Sequence, residues 1–411
     1  MIPMSPIQAL RRLTVASLSV IAIACSDATE ARTYTVDVRV LYPANYATAG
    51  AAGAQVVLRN TQTTRADTAV ADTAGVARFT RVVPGTYDVL ASRALSATEA
   101  QVLTGIAAQT QLNAQLTAQS LLTEPTTPIT LQLAGTRLGD LVIKEVYFTG
   151  SATPTGGTYF SDQFIELYNN STDTLYLDSL FIGDAFGNAG QINPSSQPTP
   201  FNTDAGAVYL SNVWMIPGTG RQRPLAPGAS ILIAQDGINH RTDPNGNPNS
   251  PVDLSTADWE TFNERSDNRD LDAPGVPNLS RIYFTGGFDW LLTVFGPAVV
   301  IFRAPTFESL EQVPIPNSTL PPRIRVPNER IIDGFEALQN GASGSYKRLT
   351  AAVDAGFVFA SGTYTSQSAR RRTAAVINGR RVLQDTNNSG NDFEIITPPT
   401  PRAFGAVAPR P

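Results

Sequence analysis

One cysteine, Cys25, one histidine, His240, and two lysines, Lys144 and Lys347, are all that 411 residues contain of these three types. Without a second cysteine no intrachain disulfide can form, so stability must come from packed cores. A lone histidine rules out zinc sites and triads that need two, and any Cys/His nucleophile pair. Charged residues make up only 16% of the chain. No uninterrupted apolar run reaches the roughly 20 residues of a membrane-spanning helix. The run from Leu291 to Ile301 is broken by Gly296-Pro297 and predicts two buried strands instead.

What is present begins with Cys25 itself. Arg11 and Arg12 precede an uncharged stretch from Leu13 to Ala24, which ends in Val20-Ile21-Ala22-Ile23-Ala24 directly before the thiol. That length suits the apolar core of an export signal. A small residue before a lone cysteine resembles a bacterial lipobox. The resemblance implies a signal peptide over residues 1–24, lipidation of Cys25, and a lipid bilayer as partner through the acylated cysteine. One acyl chain binds membranes only marginally, whereas two or more anchor stably. Ser26 follows the cysteine where some bacteria place an inner-membrane retention aspartate, so the expected location is extracytoplasmic, at the bacterial outer membrane. Residues 25–32 read as a polar tether.

Removing residues 1–24 leaves 28 basic against 35 acidic residues, a net charge of −7. That balance argues against nucleic acid as a partner. Abundant Thr, Ala, Gly, Pro and Asn predict a mostly β chain with many turns.

Tyr34, Val36, Val38 and Val40 alternate as on a half-buried strand. Asp72, Gly75 and Phe79, followed by Pro84, Gly85, Tyr87 and Val89, give short strands joined by turns. This pattern resembles the prealbumin-like, carboxypeptidase-regulatory-like sandwiches and assigns residues 33–135 to such a domain. From Leu141, the runs Val142–Tyr147, Phe164-Ile165-Glu166-Leu167-Tyr168-Asn169 and Leu225–Ala234 resemble the lamin-tail domain, an immunoglobulin-like sandwich. That assigns 139–403, with residues from about 236 to 345 as a long irregular insertion. The layout resembles a bacterial lipoprotein family of unknown function. The fold expected is therefore two β-sandwiches.

Chemistry-bearing candidates are few. Asp236, His240 and Asp243 share a loop rich in Asp and Asn, and with Asp253 or Glu166 they could hold a metal through mixed ligands. The same residue types are those of tight turns, which is the preferred reading, as it is for Asp385–Asp392. Glu145 and Glu166 could pair as catalytic carboxylates. Alternation puts Ile165 and Leu167 on one face and Glu166 on the other, which favours a buried structural role. Trp214, Trp259 and Trp290, with Tyr159 and Phe160, could line a ligand groove, although such aromatics are usually core. Trp259 is expected on a short helix capped by Ser255.

Charge is uneven. Residues 231–311 carry twelve acids and five arginines, whereas 321–383 carry ten basic and four acidic residues, with sharp knots at Arg370-Arg371-Arg372 and Arg380-Arg381. Mutual complementarity of the two segments is preferred to a basic binding face. The function expected is a membrane-anchored, non-enzymatic binding or scaffold module without a cofactor. It would partner an outer-membrane protein or an extracellular ligand in nutrient uptake or adhesion. The enzymatic alternative is a metal-assisted hydrolase using Asp/Glu residues.

Overall fold

Alternation sets the first strand: Tyr34–Leu41 buries Tyr34, Val36, Val38 and Val40 and turns Thr35 and Arg39 outward. The computed structural model describes residues 32–43, 46–104, 110–137, 140–171, 173–187, 198–267, 269–290, 292–377 and 379–407. Cys25, the expected signal peptide and all but the last residue of the expected tether lie outside them. Strand Tyr34–Leu41 pairs antiparallel with Val76–Val82 and parallel with Ile129–Gln132. A second sheet runs Ala66–Val70, Gln55–Asn60, Gly85–Leu95, Thr110–Leu121, Ala134–Arg137. Their inner faces share one core that includes Val38, Leu58, Phe79, Tyr87, Val89 and Leu131 and draws on no residue beyond Leu133. Removing such side chains from water stabilises by about 1.5–3 kcal/mol each.

The turn at Asp72–Gly75 shows how the local sequence dictates the chain's path. Asp72 Oδ1 accepts hydrogen bonds from the backbone N–H of Ala74 and Val76, at 2.9 and 3.0 Å. Gly75 has φ +80°, and a Cβ there would lie 2.5 Å from the Val40 carbonyl oxygen. Only glycine fits both the conformation and the contact.

After residue 140 the chain builds two larger sheets. One runs Trp259–Glu260, Ser230–Ala234, Phe164–Asn169, Leu141–Tyr147, Ser368–Arg371, Phe393–Ile396. The other runs Glu311–Val313, Arg323–Pro327, Ala207–Met215, Phe181–Ala185, Ala298–Phe302, Ile331–Glu336. Ile143, Ile165, Leu167 and Ile233 of the first meet Ile182, Trp214, Ile301 and Phe335 of the second in a common core. Both sheets are also covered on their outer faces. Leu232 and Ala234 pack with Val252, Leu254 and Val276. Val300 and Phe302 pack with Val208, Leu349 and Val353. A strand buried on both sides needs apolar residues at every position, which is why Ser230–Ala234 and Ala298–Phe302 read as continuous apolar runs. The chain is mostly β, as its composition implies.

Three expectations are corrected. Residues 236–345 are irregular only in part. Ala298–Phe302 lies between Phe181–Ala185 and Ile331–Glu336, with Ile182 opposite Ile301, so this segment supplies interior strands of a main sheet. Within Leu291–Ile301 the described residues form one strand, Ala298–Phe302, and not two. Trp259 sits in a short strand parallel to Ser230–Ala234, opposite Ile233. Ser255 instead closes a turn by bonding Asp253 Oδ1 through its N–H and hydroxyl.

The two parts touch. Asn113 Nδ2 donates to the carbonyls of Thr386 and Asn387, and the Arg59 guanidinium stacks 5.1 Å from the Phe357 ring.

Candidate functional site

The lone histidine is fully enclosed. His240 Nδ1 meets the Tyr159 hydroxyl at 2.8 Å and Nε2 meets the Asp236 carbonyl at 3.1 Å, so both ring nitrogens have protein partners. Burial lowers its pKa to about 4, which keeps the imidazole neutral. Asp243 is spent on its own turn, where Oδ1 accepts from the Asn245 N–H at 2.8 Å. Asp236, His240 and Asp243 therefore do not converge as a ligand set. In the second Asp/Asn-rich loop, Asp392 likewise accepts from Thr386 and Asn388 backbone N–H groups.

Asp236 converges with other residues. One carboxylate oxygen each from Asp236, Asp270 and Asp289 lie within 4.8 Å of one another. Strand Ser230–Ala234 delivers Gln235 and Asp236, and the Gln235 N–H continues the ladder to the Gln163 carbonyl. Asp289 is fixed by its neighbour Trp290, which is buried and donates from Nε1 to Asp184 Oδ1 at 2.8 Å. Asp270 is held by the Asn263 N–H, 2.9 Å from Oδ2. Asp270 and Asp289 are 4% and 7% exposed. Each of the three carboxylates has an Oδ1 that is shielded from solvent and without a hydrogen-bond partner. The Gln235 amide, 4% exposed, donates from Nε2 to Asp289 Oδ2, and its Oε1 is equally unpartnered.

Among the described residues no lysine or arginine forms an ion pair with these three acids. Burial, reinforced by Asp289 and Asp270, holds the Asp236 carboxyl well above its ordinary range. Burial raises Asp270 to about 7, with the Asp289 charge adding to it, and raises Asp289 to about 6. Glu260 lies beside the cluster but is capped by the N–H groups of Gly237 and Ala273, at 2.7 and 2.8 Å. Asp270 and Asp289 are 34 and 53 positions from Asp236, beyond any local motif. The acid excess of residues 231–311 was the one signal in the sequence that pointed to them.

The remaining candidates are structural. Trp214, Trp259 and Trp290 are 0%, 5% and 3% exposed and belong to the core between the sheets, so they form no open groove. Glu166 and Glu145 are fully buried. Glu166 accepts from Lys144 Nζ at 2.8 Å, Ser230 Oγ at 2.5 Å and the Arg402 N–H at 3.0 Å. Glu145 accepts from Ser368 Oγ and the Thr400 N–H.

Arg370 and Arg371 are paired within the chain, but not with the expected partners, and the Arg372 side chain stays 40% exposed. Buried Arg371 lies 2.5 Å from Asp333, 3.3 Å from Asp385 and 3.6 Å from Asp392, and Arg370 bonds Glu394. Among the described residues, the one ion pair between segments 231–311 and 321–383 is Arg325–Glu311, at 4.0 Å. A groove of about 460 Å³ opens between the two parts of the chain, lined by Gln55, Arg59 and Ser92 on one side and Phe357, Asn388 and Asn391 on the other. Its size lies within the range of ligand clefts.

Residues 226–400 match the family described as "Protein of unknown function (DUF4876)". That segment contains all three acids of the cluster. A crystal structure of a DUF4876 family protein from Bacteroides thetaiotaomicron is similar over 91% of this chain and 98% of that one, at 27% identity and a TM-score of 0.58. Fervidolysin from Fervidobacterium pennivorans, a keratinolytic enzyme related to subtilisin, aligns over 37% of this chain and 27% of its own at 14% identity. Its TM-score of 0.18 carries no argument. None of the curated proteins matches.

Proposed function

We propose that the protein is an extracytoplasmic lipoprotein, anchored through Cys25, whose β-sandwiches act as a binding or scaffold module at the cell surface. The observation that carries this reading is the lone cysteine directly after an uncharged run preceded by Arg11 and Arg12. No described helix is long and apolar enough to cross a membrane. Asn-rich turns and a groove of mixed polar and apolar lining between the two parts suit recognition of an extracellular ligand or an outer-membrane protein, in nutrient uptake or adhesion. The finer architecture proposed is a prealbumin-like unit followed by an elaborated lamin-tail-like unit.

Only the Asp236–Asp270–Asp289 cluster speaks for a metal-assisted hydrolase. Its shielded oxygens suit a structural ion better than a substrate that must enter and leave.

Fractionation of cells expressing the full chain tests the anchor. Cys25→Ala should release the protein into the soluble extracytoplasmic fraction and abolish labelling by a fatty-acid analogue. Membrane retention of the variant with unchanged mobility would refute it.

A further inference from the structure

We propose that Asp236, Asp270 and Asp289, together with the carboxamide oxygen of Gln235, bind one calcium ion that ties segments between Asp236 and Trp290 to the end of strand Ser230–Ala234.

The chemistry of the donor set selects the cation. The three carboxylates and one amide present oxygen alone, with no sulfur, and the nearby imidazole of His240 has both nitrogens engaged. Hard oxygen ligands suit Ca²⁺ or Mg²⁺ rather than zinc or copper. Calcium binds oxygen at about 2.3–2.6 Å, so two oxygens on opposite sides of one ion are about 5 Å apart. Three carboxylate oxygens within 4.8 Å of one another can therefore surround one such ion.

Two further observations are independent of the acidity. The unpartnered atoms are four: Asp236 Oδ1, Asp270 Oδ1, Asp289 Oδ1 and Gln235 Oε1. Buried polar atoms ordinarily find partners, and an orphan costs about 1–3 kcal/mol. Orphaned oxygens on three converging carboxylates, and on the amide that bonds one of them, are the complement of a cation. Moreover, the hydrogen bonds already made leave these atoms free while fixing their carriers. The Asn263 N–H holds Asp270, and the Gln235 amide holds Asp289.

The acids come from three places: the end of strand Ser230–Ala234, the loop after Asn263, and the residue before core-anchored Trp290. Ligands borne mostly on loops tolerate the variable geometry of calcium better than the strict octahedron of magnesium. Glu260, capped by two backbone N–H groups, stays outside the ligand set.

The test uses the full chain freed of metal by chelation. Calorimetric titration with CaCl₂ should show one ion per chain, and magnesium should bind at least tenfold more weakly. Terbium should give emission sensitised by Tyr159 or Trp290, displaced by calcium. The thermal midpoint and the resistance of residues 236–290 to proteolysis should both rise with calcium. Asp289→Asn and Asp270→Asn should lose at least tenfold in calcium affinity and the terbium signal. In the chelated state they should be as stable as the wild type or more so, because a like charge is removed. Asp243→Asn should bind as the wild type does.

If either cluster variant fails to fold, calorimetry and terbium emission on the wild type still decide. Absence of binding heat, of terbium emission and of any calcium-dependent shift would overturn the proposal and leave three carboxyls sharing protons. Binding unaffected by both cluster variants, or abolished by Asp243→Asn, would place the ion elsewhere and overturn it equally.

Discussion

Lys144 Nζ lies 2.8 Å from Glu166 Oε1, and both side chains are completely closed to solvent. Phe404 seals the pair, its ring centre 4.0 Å from the ammonium nitrogen. The N–H groups of Thr400 and Arg402 bond Glu145 and Glu166, so the segment after the last main-sheet strand is fastened over buried charge. The other lysine, Lys347, is used in the same way, 2.7 Å from buried Glu336. Both lysines of the chain therefore serve the interior.

Removing one partner of such a pair strands the other. Lys144→Met should destabilise the protein by about 3–5 kcal/mol in urea unfolding, because Glu166 loses its counter-charge in a dry site. Lys144→Met combined with Glu166→Leu should recover part of that loss. Burial already pulls the Lys144 pKa down, opposed by Glu166. A cost below about 1 kcal/mol for the single change would mean that water reaches the pair.

His240 can be followed by NMR without assignment, since no other imidazole is present. Its signals should stay those of a neutral ring from pH 8 down to near pH 4, where burial places its pKa. A pKa below the unfolded value of 6.5 means that the unfolded chain takes up the proton first. Stability from this group is thus complete above about pH 6.5 and is lost as pH falls toward 4. Titration near 6.5 in the folded protein would contradict the enclosed site.

The three tryptophans report on the interior. With Trp214, Trp259 and Trp290 all within the core, the native emission should be blue-shifted and acrylamide should quench it weakly until unfolding. Strong native quenching by acrylamide would require at least one ring to be accessible.

Gly75→Ala tests the turn that closes strand Tyr34–Leu41. The methyl group would need both a left-handed backbone and displacement of the Val40 carbonyl. A loss of more than about 1 kcal/mol in unfolding free energy is expected. By contrast Gly156→Ala, with open space around its Cβ, should cost only the conformational part.

Alternation was enough to find the strands that are exposed on one side. Tyr34–Leu41 could be read residue by residue. Neighbouring side chains on a strand point to opposite faces, so one face in water writes a period of two. That code fails for Ala298–Phe302, which is covered on both faces. Its place inside a main sheet follows from pairing with Phe181–Ala185, more than a hundred residues earlier.

The site divides the same way. The acid excess of residues 231–311 was visible, but composition does not choose partners. Asp236 sits in the sequence beside His240 and Asp243, yet the imidazole turns to Tyr159 and Asp243 closes its own turn. The fold brings Asp270 and Asp289 to Asp236 because the strand ending at Ala234 and the buried Trp290 are fixed by packing. Arg371 is a parallel case: complementarity with the acid-rich segment 231–311 was expected, and the fold buried it instead against Asp333, Asp385 and Asp392. By itself the sequence determined the β class, the turns, the lack of disulfides and the isolated cysteine, all of which depend on local chemistry. Tertiary structure decided which charges meet, because that depends on contacts between residues far apart in the chain.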